Sequence, residues 1–359
     1  MEPIINPVDV SLLKAELTAQ KRLRGTNKGH NELYVVTAAN SPNLMREIGR
    51  LRELSFRAVG EGSGKAADVD DFDFMDDKCQ QLLVWDPDGE AVVGGYRFIC
   101  GNKMELGSDG QPVITSAHLF HYSEKFIKDY LPYTIELGRA FVSPRYQSAN
   151  AGLKALFALD NLWDGLAALI MAKPGMRYYL GKMTISPSFN PLAKDLILHF
   201  LNKHFGDSEA LVRPFNPLSV ATPAEQLEAM LPEEEFKADY TILKKEVRAL
   251  GVEIPPLVNS YMSISPSVRI FGTAVNDEFA DALETGILVD FNDIYYEKKV
   301  RHVDSFIKER TALMKLRFPA LGASNTDVEL GHKIAMRRER RLAMRQQARL
   351  SPQFAMARV

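Results

Sequence analysis

Cysteine is scarce in this chain of 359 residues. Its two copies, Cys79 and Cys100, sit far from any CxxC spacing, which excludes a disulfide framework and a zinc ribbon and fits a reducing compartment. An excess of one charge is also missing: the formal net charge is -2, so nothing global draws the protein to nucleic acid, and none is expected as a partner. Long apolar runs are absent too. The longest, around residues 149–173, is interrupted by Lys154, Asp160, Asn161 and Asp164, so it reads as a core helix and not a membrane span. MEPIINPVDVSLLKAEL has no charged segment followed by an apolar one, which argues against a secretory leader and for a cytoplasmic location. Several catalytic signatures are missing: Gly-x-Ser-x-Gly, Gly-x-x-x-x-Gly-Lys and HExxH do not occur. None of the seven histidines has the aspartate five positions on that a glycerolipid-type acyltransferase uses; His204 meets Glu209. His118 and His121 lie three apart without a carboxylate to complete a metal set, so no metal is expected.

What the sequence does contain is alternation of strand and helix patterns. ELYVVT (Glu32 to Thr37) reads as a strand, and Ser41-Pro42 signals entry into an amphipathic helix with Leu44, Ile48, Leu51 and Leu54 or Ser55 inward and Arg46, Glu47, Arg50 and Glu53 outward. QQLLVW, the turn DPDG and AVVGGYRFIC form a hairpin pattern. YTIELGRAFV (133–142), the long helix, RYYLGKMTI (177–185) and the helix PLAKDLILHFLNKHF follow. IPPLVNSYMSISPSVRIFGTAV suggests two more short strands and DALETGILVDFNDI another. The expected class is α/β (α+β), a mixed sheet with helices on both faces. The expected divisions are an N-terminal extension (1–30), one domain (31–324) with a helical or loop insertion (207–250), and a basic tail (325–359).

Two stretches carry chemistry. DVDDFDFMDD (Asp68 to Asp77) fails the calcium-loop pattern, because positions 5 and 6 are Phe72 and Asp73. A solvated acidic loop is one reading. The other folds the segment onto the core, burying Phe72, Phe74 and Met75 and pointing some carboxylates into a cleft. In ELGRAFV, Glu136 and Arg139 are three apart. On a regular strand they face opposite sides, and they share a cleft only if a bulge near Gly138 shifts the phase; otherwise they are a strand-end ion pair.

Taken in order, Arg52 and Phe56 in RELSF, Asp68, Asp70 and Asp73 in DVDDFD, Arg97 in GGYRF and Glu136 and Arg139 in ELGR resemble the hemolysin-like aminolipid N-acyltransferases of the GNAT superfamily, which acylate ornithine or glycine. More distantly they resemble the acyl-homoserine lactone synthases. With the later PPL..Y portion, the resemblance runs from about Asn31 to Ile294, and NKGHNELYVV with GRLRELSFR looks like the glycine-lipid branch. The resemblance implies a GNAT fold with a mostly antiparallel sheet and two splayed central strands, 133–142 and 177–185, gripping an acyl thioester. It also implies no permanently bound cofactor, the donor being the 4'-phosphopantetheine thioester of acyl carrier protein. Ala140, Phe141 and Val142 would line the pantetheine arm, with a backbone N–H near Ala140 or Phe141 as oxyanion donor. Glu136 would take the amine's proton. Asp68, Asp70 and Asp73 would steer the ammonium, while Arg52, Arg97 or Arg139 pairs the amino acid's carboxylate or holds the aspartates. Asp71, Asp76 and Asp77 would face solvent.

The expected reaction moves a (3-hydroxy)acyl chain from acyl carrier protein to the amine of glycine or ornithine, giving a monoacylated aminolipid. A separate O-acyltransferase would add any ester-linked chain. Acetyl-coenzyme A users carry Arg/Gln-x-x-Gly-x-Gly/Ala before the long helix. Here QSANAG (Gln147 to Gly152) puts asparagine at the first glycine, a departure that leans toward the carrier-protein donor, with Arg145, Lys154 and Lys182 as contacts. Within the tail, in GHKIAMRRERRLAMRQQARL, Lys333, Arg337, Arg338, Arg340, Arg341, Arg345 and Arg349 face one acid, Glu339, which suits an anionic membrane surface at roughly 1 kcal/mol each, or a protein partner. A coenzyme A-dependent acetyltransferase of the same fold and a catalytically silent membrane-surface adaptor are the competing expectations.

Overall fold

The computed structural model describes residues 1–75, 78–147 and 152–317. The basic tail expected at 325–359, Asp76, Asp77 and the centre of QSANAG lie outside the described residues. The chain forms two compact units, Met1–Ile294 and Tyr295–Val359. In the second, α9 (Tyr296–Lys299) and α10 (Ser305–Arg317) are joined by a π-helical turn; these are numbered after the elements of the first unit.

The first unit begins with α1 (Val10–Glu16), β1 (Arg22–Gly25), β2 (Glu32–Val36) and α2 (Pro42–Arg57). Residues 1–30, expected as an extension, thus supply an edge strand. The α2 N-terminus is capped by a residue distant in sequence: Ser41 makes no side-chain cap bond, and the Glu16 carboxylate accepts from the Asn43 and Leu44 N–H groups at 3.0 and 2.8 Å. The hairpin β3 (Cys79–Asp86) and β4 (Ala91–Cys100) follows, then β5 (Phe120–Tyr122), α3 (Glu124–Asp129), β6 (Thr134–Val142), α4 (Leu153–Ala172), β7 (Tyr178–Ile185) and α5 (Pro191–Phe205). Between 207 and 250 lie β8 (Val212–Pro214), α6 (Ala224–Met230) and α7 (Phe236–Ala249), and then come α8 (Pro256–Met262), β9 (Arg269–Asn276) and β10 (Ala282–Asp290). The first of the two strands expected after Ile254 is therefore the helix α8. Prolines 255 and 256 open it and Val258 and Met262, four apart, are its buried face.

Eight strands form one sheet in the order β1-β2-β3-β4-β6-β7-β10-β9, and β5 pairs with β8 apart from it. Every neighbour in the large sheet is antiparallel except β6 and β7. One face packs α4 and α5 through a core that includes Leu82, Phe98, Ile135, Leu166 and Phe200. The other face packs α1 and α2 at one end through Leu44, Ile48, Leu83 and Phe141, and the 114–131 region at the other through Phe120, Phe126 and Leu180. Both cysteines are buried and free, and burial pushes the Cys79 thiol up to about 12. No described helix is long and apolar enough to cross a membrane.

Candidate active site

The site lies on the α2 face, where β6 and β7 separate. Their parallel pairing covers Thr134↔Tyr178, Ile135↔Tyr179 and Glu136↔Leu180. Beyond that point β6 pairs only with β4 and β7 only with β10, leaving a gap between Leu137–Val142 and Gly181–Ile185. β6 also carries a bulge. Arg97 opposes Gly138 while Gly95 opposes Phe141, three steps on β6 against two on β4, and Arg139 sits at φ 49°. The extra residue shifts the phase, so Glu136 and Arg139 reach the same face. Past the bulge the polar edge is defined: Ser143 N–H donates to Val93 O, so its neighbour Val142 turns its peptide groups away from β4. Val142 O accepts from Gln147 Nε2 at 2.5 Å and Ser55 Oγ at 2.9 Å, and Val142 N–H shares that edge. Phe141, on which an oxyanion role was also placed, buries its side chain in the α2 core and turns its peptide toward β4.

The aspartate stretch is half of an ion-pair network. Asp70 and Asp73 form a reciprocal capping box around a 3₁₀ turn at Asp71–Phe74. The segment lies close on α2 because Gly49 has no side chain: Asp68 N–H donates to Gly49 O at 3.0 Å, and a Cβ at 49 would meet Val69 at 2.8 Å. Asp68 and Asp73 are buried and Phe74 is 59% exposed, the reverse of the side-chain sorting suggested by hydrophobicity. Buried Arg52 donates to both Asp73 oxygens at 3.1 Å and to Gln81 Oε1 at 2.5 Å, and Gln81 returns a bond to Asp73 at 3.0 Å. Arg97 bonds Asp70 at 2.5 Å and lies 3.3 Å from Asp73. Arg139 Nε is 2.9 Å from Asp68, off the line of a hydrogen bond, and its Nη2 is 3.7 Å from Asp70. Three aspartates thus face three arginines. Burial alone would raise the Asp70 carboxyl, but Arg97, then Arg139 and Arg52, hold it below the ordinary aspartate range. Only Asp70 and Arg139, at 27% and 21% side-chain exposure, reach toward solvent.

Glu136, expected to take a proton from substrate, is 2% exposed and accepts four bonds: from Thr115 N and Oγ1 at 3.0 and 2.9 Å, and from Ser116 N and Oγ at 2.8 and 2.5 Å. Ser116 Oγ also meets Tyr122 Oη at 2.7 Å. The carboxylate therefore fastens the 115–116 segment beside the bulge. The residues expected at a carrier-protein surface divide. Arg145 is exposed and donates to Gly89 O at 3.0 Å. Lys154 pairs at 2.5 Å with Asp86, which Tyr146 also bonds at 2.8 Å. Lys182 is mostly buried, 2.5 Å from Glu284, and so is not a surface contact. Gly152, at φ 54°, is exposed just before α4, and Ala140 is exposed on the gap edge of β6.

Thr115, Ser116, Gln81, Phe279 and Glu284 are site neighbours that no motif announces. One signal existed for Gln81: Gln80 and Gln81 are adjacent in a strand, so one of them has to face each side of a covered sheet.

Residues 51–156 match the family model described as an acetyltransferase (GNAT) domain. The chain is 54% identical over 316 residues to the glycine N(alpha)-acyltransferase of Phocaeicola vulgatus, covering 88% of this chain and 97% of that one. It is 51% identical over 316 residues to the glycine N(alpha)-acyltransferase of Bacteroides thetaiotaomicron, covering 88% and 94%. A solved CoA-dependent acyl-homoserine lactone synthase is similar at 13% identity and a TM-score of 0.33, covering 77% of this chain and 88% of that one. With this identity across nearly the whole length of both relatives, the chain belongs to their family: it is a GNAT-type N-acyltransferase.

Proposed function

We propose that the protein transfers a 3-hydroxyacyl group from the phosphopantetheine thioester of acyl carrier protein to the α-amino group of glycine, forming an N-acylglycine, a monoacylated aminolipid. The observation that carries this reading is the separation of β6 from β7 immediately after Glu136 and Leu180, next to the bulge. An extended pantetheine arm can add to the exposed edge of β6 there, as a strand would, with its thioester carbonyl near Val142. The Val142 N–H is the oxyanion donor in this reading, an interaction worth about 100- to 1,000-fold in rate. Arg139, at the opening, pairs the glycine carboxylate. Arg52, Arg97, Asp68, Asp70 and Asp73 act as the frame that holds Arg139 and the bulge; with their charges matched, they exert little pull on a cationic amine. Glu136 acts as a positioning group for residues 115–116. Glycine is chosen over ornithine because both curated relatives carry glycine in their names.

The test uses purified protein with 3-hydroxyacyl carrier protein and glycine, with ornithine and acetyl-coenzyme A in parallel reactions, read by mass spectrometry. The expected product is N-(3-hydroxyacyl)glycine with no second acyl chain. A diacylated product, preferential acylation of ornithine, or faster turnover of acetyl-coenzyme A contradicts the reading.

A further inference from the structure

The gap is crossed at its open end by an aromatic side chain. Leu283 pairs with Ile185, the last residue of β7, so the turn joining β9 and β10 emerges where β6 and β7 stand apart. That turn is stiff. Phe279 N–H donates to Asn276 O and Ala282 N–H to Phe279 O, both at 3.1 Å, and the residues between them, Ala280 and Asp281, sit at φ 54° and 55°, as in the mirror-image turns that suit a hairpin. An alanine in the left-handed region is strained and persists there only because its surroundings hold it. What holds the turn is Phe279. Its ring is 6% exposed, meets the Phe56 ring of α2 edge-on at 5.3 Å and lies under the Arg139 guanidinium at 4.9 Å, so it spans from the β9–β10 hairpin to β6. The chain leaving α2 folds back at the same place, with Glu61 N–H donating to Phe56 O at 2.9 Å, and burial raises the Glu61 carboxyl above its ordinary value.

We propose that Phe279 is the residue that restricts the acceptor to glycine, its ring closing the space that a side chain on the acceptor's α-carbon would need. The proposal rests on the glycine N-acyltransferase reading above, in which Arg139 pairs the acceptor carboxylate. A guanidinium donates in its own plane, so a ring over its face leaves the N–H edge to a carboxylate. Arg139 has that capacity: its side chain is 21% exposed, and its Nε, though 2.9 Å from Asp68, has no hydrogen-bond partner among the described residues. With the carboxylate in the guanidinium plane and the amine directed at the thioester in the gap, the two hydrogens on the glycine α-carbon point to opposite sides of that plane, one of them toward Phe279. A methyl group in its place meets the ring. The ring cannot retreat, because Phe56 packs against it and the turn that carries it is already strained. Phe279 therefore excludes one enantiomer of alanine and acts on its mirror image far less.

The experiment measures kcat/KM for glycine, L-alanine and D-alanine at saturating 3-hydroxyacyl carrier protein, in the wild type, Phe279→Leu and Phe279→Ala, with melting curves for each. The wild type should favour glycine over at least one enantiomer of alanine by about 10-fold or more. In Phe279→Ala, kcat/KM for one enantiomer should rise in absolute terms by about 10-fold or more while the value for glycine falls through KM, and Phe279→Leu should lie between. A truncation that merely loosens the fold slows all three acceptors together and raises none. A wild type that acylates both enantiomers as fast as glycine overturns the proposal without any variant. So does a folded leucine or alanine variant in which neither enantiomer gains, or both gain equally, and each of these results leaves the N-acyltransferase reading intact. A wild type that makes no N-acylglycine overturns that reading and the proposal with it.

Discussion

The two walls of the gap bury charge in opposite ways. On the β4–β6 side, Arg52, Arg97 and Arg139 match Asp73, Asp70 and Asp68, with Gln81 and the capping box satisfying further oxygens. On the β7–β10 side, a single lysine, Lys182, lies 2.5 Å from a single carboxylate, that of Glu284. The first arrangement is a frame: a buried pair of this kind costs desolvation and returns it only when every partner is in place. The second is one ion pair in which a Glu284 oxygen makes no hydrogen bond among the described residues.

The sharpest way to break the frame is Arg52→Met, which leaves Asp73 half-paired and Gln81 without its donor; about 3 to 5 kcal/mol should be lost in denaturant unfolding. Phe279→Ala removes the ring that joins the two walls, and a stability loss of about 3 kcal/mol with a raised KM for glycine is expected from combined melting and kinetics. Glu136→Gln strips the charge that holds Thr115 and Ser116. Melting should report about 1 to 3 kcal/mol, and the activity that remains should keep the wild-type pH profile, a profile change being the mark of a proton-transferring Glu136. The smallest effect is the most diagnostic. The depressed Asp70 adds stability above the ordinary aspartate value of 3.8 that is lost as pH falls through its lower folded value. The raised Glu61 does the reverse, subtracting stability as pH climbs past 4.5. Glu61→Gln should therefore be slightly more stable than the wild type near neutrality, the difference closing below pH 4.5 in urea titrations.

Much of the fold was legible because its signals are local. The hairpin at 79–100 shows in its DPDG turn, and α4, β7 and α5 in their periods. The reading failed where a distant partner decides the outcome. Glu47 and Glu53 were assigned to the outer face of α2, but Arg50 with Val8 N–H, and Arg57 with Ser63 and Gly64, supply enough donors to bury them. The site residues from Arg52 to Arg139 were recognisable as an ordered set, yet their pairing was not. A row of aspartates looks acidic until three arginines from α2, β4 and β6 fold against it. Thr115 and Ser116, in a stretch without periodicity, gave no sign of binding Glu136, and Glu284 looked like one polar residue in a strand.

The central claim is that the gap between β6 and β7 grips the acyl-carrying arm. The direct measurement is a photo-crosslink from acyl carrier protein whose pantetheine bears a diazirine in place of the acyl thioester, mapped by peptide mass spectrometry. Crosslinks confined to 137–142 and 181–185 are the predicted result. Crosslinks at the surface hollow lined by His199, Ala224 and Glu228, or scattered without a preferred site, would contradict it.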